Sequence, residues 1–387
     1  MRRTSLALAE YVARGEKSPD DLDISRLETG IDALVAALRS DDTTLSDLRR
    51  LLDVFHEDIE LEWLECSGYK TWVVRASGAR QLYPLVDLLH VGMTARGLEV
   101  VPRLPALPHA EALRWASDCL GRDFSDTRVR VGFVRGHLLE LAFAVPGCFG
   151  HDDEEAMQAA IVYAECVLGE ERFDEWVGSV GVSPAPRSGG LRVVGSVGQV
   201  SAATPLRELL PLVEIGIFKL CEGLPDEPLA GSEASDWTLL DGEPLRDETG
   251  APSLLAMDDV VMASTRCPEL LKCFLEGLPV SSRRFSRVGE RFVYLKLPSS
   301  LPLAERPAAR ARLEEALEPH LGELGVIVGN AVGVAHFYVV IALRQLLPGL
   351  TAVVACAEQQ PELFPRGSEL RFLDATWGDE WLRLGPV

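Results

Sequence analysis

Residues 325–343 read GVIVGNAVGVAHFYVVIAL, a run of 19 residues without Asp, Glu, Lys or Arg. Its length, and the four-residue spacing of Gly325, Gly329 and Gly333, would suit a helix that crosses a membrane. Its many Val and Ile residues are instead typical of strands, and the Gly329-Asn330 pair could reverse the chain between two of them. We therefore predict a buried two-stranded hairpin here, with a membrane-inserting helix as the alternative.

The segments on both sides of this run predict a C-terminal α+β domain with antiparallel strands over residues 260–387. Hydrophobic periodicity predicts two of its helices and three further strands. The helices are expected at Pro268–Leu275 and Ala304–Leu324, and the strands at Arg291–Leu297, Thr351–Ala357 and Glu369–Leu373.

Three further regions precede this domain. Residues 1–60 carry apolar positions at three- and four-residue steps and predict a helical hairpin. Residues 61–221 alternate strand and helix patterns and contain a predicted hairpin at Arg128–Val145, which indicates an α/β domain with a mixed sheet. Residues 222–259 hold many acids and a single base, Arg246, and are interpreted as an acidic linker or surface excursion.

The charge and length of the chain limit the functional classes to which it could belong. The chain has 387 residues, which favours more than one domain, and a formal net charge of −21 from 59 acids and 38 bases. Nucleic acid is an unfavourable partner, because binding to phosphates depends on Lys and Arg. A basic protein partner would be attracted, although an acidic surface also serves solubility alone.

The cysteine pattern favours a reducing compartment. The eight cysteines lie mostly in apolar stretches and form no C-x-x-C pair, so they are expected to be buried thiols. The first apolar stretch is interrupted by Glu10, which argues against a secretory signal. We therefore expect a cytoplasmic protein.

No complete catalytic or cofactor motif is present. The segment Gly195–Gly198 follows a predicted strand but lacks the Lys and Ser or Thr of a phosphate loop. His151, beside four acids, lacks a second His one helical turn away that would complete a metal site. We assign no catalytic, cofactor-binding or metal-binding residue from the sequence, although a site assembled only in the fold would escape this test.

Two groups of residues are candidates for binding a partner. The first is the acidic run Asp152, Asp153, Glu154 and Glu155 at the start of a predicted helix. These acids could equally cap that helix and stabilise its positive end. The second group is Trp377 and Trp381, two indoles beside three acids, which could anchor a partner or close the core of the last domain.

Arg283, Arg284 and Arg287 form a candidate anion-binding group, with Arg291 close by in sequence. Guanidinium groups bind phosphate and carboxylate in bidentate fashion. The alternatives are a solvated hairpin rim and pairing with the acidic segment 222–259.

The region Trp72–Val101 resembles uncharacterised bacterial α/β proteins whose function is not established. The likeness rests on Gln81–Val86 in a helix between two strands, and on the segments Leu168-Gly169-Glu170 and Trp176-Val177-Gly178. This resemblance implies an α/β fold and no particular active site.

Charge and the lack of a motif together lead to three functional hypotheses. The first is a non-enzymatic protein that binds a basic partner, like the acidic bacterial immunity proteins that inhibit basic toxins. The second is a hydrolase or nucleotide-binding enzyme with His, Asp and Arg gathered at strand ends. The third is membrane insertion through residues 325–343.

Overall fold

The computed structural model describes residues 24–40, 42–66, 69–76, 78–135, 137–150, 153–184, 198–199, 202–229, 238–241, 260–275, 277–378 and 380–386. Within these ranges there are ten helices of more than one turn, two mixed sheets and one antiparallel sheet, as the predicted α/β and α+β classes require. The chain divides into two compact units between Glu222 and Gly223. We call them the N-terminal unit and the C-terminal unit.

The N-terminal unit begins with the predicted pair of helices, α1 (Ile24–Leu38) and α2 (Leu45–Leu52). Thr44 caps α2, because its hydroxyl accepts a hydrogen bond from the Asp47 amide and the Asp47 carboxylate accepts one from the Thr44 amide. Both helices bury their apolar stripe, which includes Leu34 and Leu52. They belong to the same compact unit as the strands up to Glu222.

A three-stranded sheet follows, formed by β1 (Glu60–Cys66), β2 (Tyr69–Arg75) and β3 (Val100–Pro102). β2 and β3 are parallel and are joined by helix α3 (Tyr83–Ala95), so they form a βαβ unit. β1 pairs with β2 in antiparallel register, and our sequence interpretation did not include this strand. The carboxyl ends of β2 and β3 lie at one edge of the sheet.

The second sheet contains the predicted hairpin of β4 (Arg128–Val134) and β5 (Leu138–Val145). β6 (Val177–Pro184) lies parallel to β5, and the short strands β7 (Gly198–Gln199) and β8 (Thr204–Pro205) pair with β4. The helices of this region are α4 (His109–Leu120), α5 (Glu154–Leu168), α6 (Glu170–Trp176) and α7 (Leu209–Glu222). Tyr163 of α5 is fully buried against Phe124 and Phe143.

In the described part of the C-terminal unit, seven strands form one antiparallel sheet in the order β15-β14-β11-β13-β12-β10-β9. The strands are β9 (Thr238–Asp241), β10 (Val260–Thr265), β11 (Arg291–Pro298), β12 (Gly325–Gly333), β13 (His336–Leu343), β14 (Glu369–Phe372) and β15 (Trp381–Arg383). Its helices are α8 (Pro268–Leu275), α9 (Arg306–Leu321) and α10 (Leu346–Gln359).

The predicted hairpin at residues 325–343 is confirmed, since β12 and β13 are its two strands. The turn differs from the expected one. Gly329 and Asn330 lie inside β12, opposite Val340 and Val339, and the chain reverses at residues 334–335. Among the described residues, none of the helices is long and apolar enough to cross a membrane.

The predicted strand Thr351–Ala357 is wrong, because these residues lie in helix α10. The β-branched residues of this segment favour a strand when each is considered alone. Packing decides otherwise: Leu350, Val353 and Ala357 are spaced as one face of a helix, and that face is buried against the sheet core.

Candidate functional site

A surface pocket of about 740 Å³ lies at the amino end of α5. It is lined by Leu120, Arg122, Phe149, Gly150, Asp153, Glu154 and Glu155. We call it the α5 pocket. Three of the four acids that we predicted as partner-binding residues line it, whereas Asp152 and the neighbouring His151 lie outside the described residues.

Asp153 shapes this pocket through two backbone hydrogen bonds. One carboxylate oxygen accepts from the amide of Ala156, at 3.0 Å, and caps α5. The other accepts from the amide of Phe149, at 3.1 Å, and ties the preceding loop to the helix. These two amide donors lower the pKa of Asp153, so the capping carboxylate stays ionised at neutral pH.

The loop held by Asp153 presents an unusual side chain. Phe149 is 97% exposed, the highest value among the exposed large apolar residues of the described chain. Glu154 and Glu155, in the first turn of α5, are exposed beside it. The pocket therefore combines one accessible aromatic ring with an excess of carboxylates over Arg122.

The two predicted tryptophan anchors lie in the C-terminal core. Trp381 is buried in β15, with the guanidinium of Arg383 over its ring at 5.5 Å. Trp377 packs on Phe372 with 4.9 Å between ring centroids and contacts the core of the sheet. Their geometry fits core closure, which was the alternative to an exposed partner anchor.

The three candidate anion-binding arginines occupy three different environments. Arg284 is only 1% exposed, and its guanidinium donates to the carbonyl of Pro279. Arg287 pairs with Asp226 at 2.6 Å, as expected if the basic group pairs with the acidic segment. Arg283 is exposed to solvent.

The sequence candidates for a phosphate site and a metal site lie partly outside the described residues. Residues 195–197 lie outside the described residues. In the part of the chain that the structure describes, no group of three or more His, Cys, Asp or Glu side chains is arranged to hold a metal ion.

A second site, which the sequence analysis missed, surrounds Arg75 in the N-terminal unit. Its guanidinium pairs with three carboxylates, and we call these four residues the Arg75 cluster. Nη1 lies 3.3 Å from Glu62, Nε lies 3.0 Å from Glu170, and Nη2 donates to Glu165. The four residues come from β2, β1, α6 and α5 respectively.

The fold places this cluster at the carboxyl ends of the parallel strands. Arg75 is the last residue of β2. Glu170 is brought to it by Gly169, which has φ of +78° and lies so close to the backbone of residues 104–106 that a side chain there would meet the Ala106 amide at 3.0 Å. The amide of Leu104, just after β3, donates to Glu170 at 2.9 Å.

The Arg75 cluster is negatively charged and partly unsatisfied. One guanidinium faces three carboxyl groups, and Glu170 is only 2% exposed. Its Oε1 atom is buried without a hydrogen-bond partner among the described residues. Burial raises the pKa of Glu165 to about 7, and Glu170, Asp174 and Glu62 act in the same direction against the opposing effect of Arg75.

A neighbouring network of hydrogen bonds and ion pairs lies at the same edge of the three-stranded sheet. Asp174 of α6 accepts a hydrogen bond from the Tyr83 hydroxyl at 2.6 Å and pairs with Arg80 at 3.4 Å. Arg103 follows β3 with φ of +69°, an uncommon conformation for a residue with a side chain. Its guanidinium stacks 4.7 Å from the Tyr83 ring centroid and lies 2.8 Å from Asp87.

No protein-family model matches the chain, and no curated protein or solved structure matches it either. The two sites are therefore interpreted from their own geometry and charge.

Proposed function

We propose that this chain is a non-enzymatic protein-binding protein that takes a basic protein at the α5 pocket, as an immunity-like inhibitor would. The observation that carries the proposal is the 97% exposure of Phe149 in a pocket lined by Asp153, Glu154 and Glu155. Aromatic side chains supply much of the energy of protein interfaces, so an exposed ring beside carboxylates that are unpaired within the described residues is a suitable anchor for a basic partner.

The charges around Phe149 select the partner. Glu154 and Glu155 lie in the first turn of α5 and carry no ion pair within the described residues. They would attract Lys and Arg side chains and repel acidic proteins, while Phe149 supplies apolar contact. The seven cysteines whose state is described are free thiols, which suits the cytoplasmic location that belongs to this proposal.

A capture experiment tests the proposal. The tagged chain is incubated with an extract of its native cells at low salt, and the retained protein is identified and purified for affinity measurements. We expect a basic protein whose affinity falls by about tenfold or more with Phe149→Ala, as truncation of a central aromatic residue usually gives. Elution by high salt should follow from the carboxylates.

Phe218→Ala is the matched control. Phe218 is also exposed, at 65%, and lies in the same unit on α7, but it is not one of the residues that line the pocket. The proposal fails if the basic partner is absent, or if Phe149→Ala and Phe218→Ala retain it equally.

An enzyme with a site assembled in the fold is the second candidate, and one observation favours it. Glu165, whose pKa is raised to about 7, lies among other carboxyl groups at the carboxyl ends of parallel strands, where α/β folds place their ligands. A hydrolase fits this charge better than a nucleotide-binding enzyme, because the cluster would repel phosphate. Hydrolysis of ester or amide substrates by the wild type that is lost in Glu165→Gln would support the enzyme hypothesis. Equal rates of hydrolysis in the wild type and in Glu165→Gln would exclude a role for Glu165.

A further inference from the structure

We infer that the Arg75 cluster is a binding site for an organic cation, a primary ammonium or a guanidinium group, held by Glu62, Glu165 and Glu170. This site is separate from the α5 pocket, and the inference does not depend on the proposed function. The kind of ligand follows from two things that the cluster lacks, positive charge and a hydrogen-bond donor.

The first deficiency is positive charge. Arg75 is a single cation, with a side chain 14% exposed, and it contacts three carboxyl groups. Partly buried charges are costly when they are not compensated. The adjacent carboxylate, Asp174, already has Arg80 and the Tyr83 hydroxyl as partners. A second cation beside Arg75 would compensate the excess.

The second deficiency is a hydrogen-bond donor. Glu170 is 2% exposed, and its Oε2 atom accepts from Arg75 Nε and from the Leu104 amide. Its Oε1 atom has no hydrogen-bond partner within the described residues. A buried acceptor without a donor costs free energy, and nearly all such atoms in folded proteins are satisfied. The N–H groups of an ammonium or guanidinium would supply the donor.

The raised pKa of Glu165 is consistent with the lack of positive charge in the cluster. Glu165 on α5 is faced by Arg75 from β2, by Glu62 from β1, and by Glu170 and Asp174 from α6. Its pKa is raised to about 7, because burial and the three carboxylates outweigh the attraction of Arg75. A bound cation would lower this pKa again, which gives the ligand a direct spectroscopic signature.

The surroundings also limit the kind of ligand. Glu62 is 43% exposed and Glu165 is 20% exposed, so the cluster meets solvent on the side of these two residues. Anions are repelled by the carboxyl groups. The Oε1 atom of Glu170, which is unpartnered within the described chain, favours a cation that carries N–H donors. The carboxyl ends of parallel strands are also a common place for ligands in α/β sheets.

The test uses the full chain, with propylamine and propylguanidine as probes and propionate as the anionic comparison. The carboxyl carbons of Glu residues are observed by ¹³C NMR while pH is varied, with and without probe. We expect either cation to lower the pKa of Glu165 in a saturable manner, and propionate to leave it unchanged. Failure of both cations, and of a short arginine-containing peptide, to shift this pKa overturns the inference.

Two variants test whether the probes bind at the Arg75 cluster. Glu62→Gln removes one carboxylate at a partly exposed position, where folding is least affected, and should weaken probe binding by about tenfold, the usual effect of losing one charged hydrogen bond. Glu155→Gln removes an exposed carboxylate of the α5 pocket and should change nothing. Equal affinities in Glu62→Gln and Glu155→Gln would contradict a site in the cluster.

A peptide arm distinguishes the two sources of the cation. A short peptide with one central Arg and acetylated and amidated ends is added in place of the small probes. Saturable binding of the small cations assigns the site to a free amine or guanidine, whereas a shift of the Glu165 pKa by the peptide alone assigns it to a protein side chain. Phe149→Ala should leave probe binding intact, so failure of this inference and failure of the proposed function are told apart.

Discussion

Replacing Glu165 by glutamine should remove a pH dependence from the stability of the N-terminal unit. The native pKa of Glu165 is raised to about 7 from an ordinary value of 4.5. Between these two values the native state keeps a proton that the unfolded chain releases. The group therefore contributes fully to stability below pH 4.5, and this contribution is lost as pH rises through 7.

The size of the effect follows from the same two values. At 1.36 kcal/mol for each pKa unit, the interval corresponds to about 3 kcal/mol of unfolding free energy, lost from the wild type between pH 4.5 and pH 8. Glutamine has nearly the same shape and does not ionise. The unfolding free energy of Glu165→Gln should therefore rise relative to that of the wild type across this range by about the same amount.

Hydrogen exchange measured by mass spectrometry suits this test, because it reports stability separately for peptides from β2 and α5 in a chain of two units. Urea is added at each pH to bring the unfolding free energy into range. Glu155→Gln, an exposed change at the start of α5, serves as the control and should show no such trend. A difference between Glu165→Gln and wild type that stays constant from pH 4.5 to pH 8 would refute the reasoning.

Three substitutions test other parts of the structure. Arg284→Ala should destabilise the C-terminal unit by several kcal/mol, whereas Arg283→Ala, at an exposed position, should change its urea midpoint little. Gly169→Ala should lower the melting temperature and weaken probe binding at the Arg75 cluster, since φ of +78° and the nearby Ala106 amide leave no place for a methyl group. Thr44→Ala should lower the unfolding free energy of α2 by about 1 kcal/mol, measured by hydrogen exchange of the α2 amides, because it removes a helix cap. Thr44→Ser, which keeps the capping hydroxyl, should retain most of this stability.

Most of the fold could be predicted from local patterns. The hairpin at residues 325–343 was accessible because its Val and Ile content is a strand signal and its glycines alone do not make a helix. β1 was missed because its sequence, ELEWLEC, intersperses three acids among four apolar residues, and charged side chains are common on edge strands. The segment Thr351–Ala357 was misjudged because residue propensity was weighed above the helical spacing of its buried positions.

The two sites differ in how far the sequence could reveal them. The α5 pocket is lined mainly by residues between 149 and 155, so its acids could be named from the sequence, whereas nothing in the sequence showed that Phe149 would be exposed. In the Arg75 cluster, Glu170 is 95 positions from Arg75. Only the pairing of β2 with β3 and the turn at Gly169 bring them together. The one local sequence signal for this cluster was Arg75 itself, an arginine at the end of an apolar strand.

The same excess of carboxylates has different physical consequences at these two places, and this allows experiments to distinguish the two proposed binding sites. The acids of the α5 pocket face water, where about 0.15 M salt screens charges beyond roughly 8 Å, so binding there should weaken as salt is added. In the Arg75 cluster, Glu165 and Glu170 are largely shielded from solvent, and the charge of the cluster changes with the protonation of Glu165. Binding that responds to salt but not to pH between 6 and 8 therefore belongs to the pocket, and the reverse response belongs to the cluster.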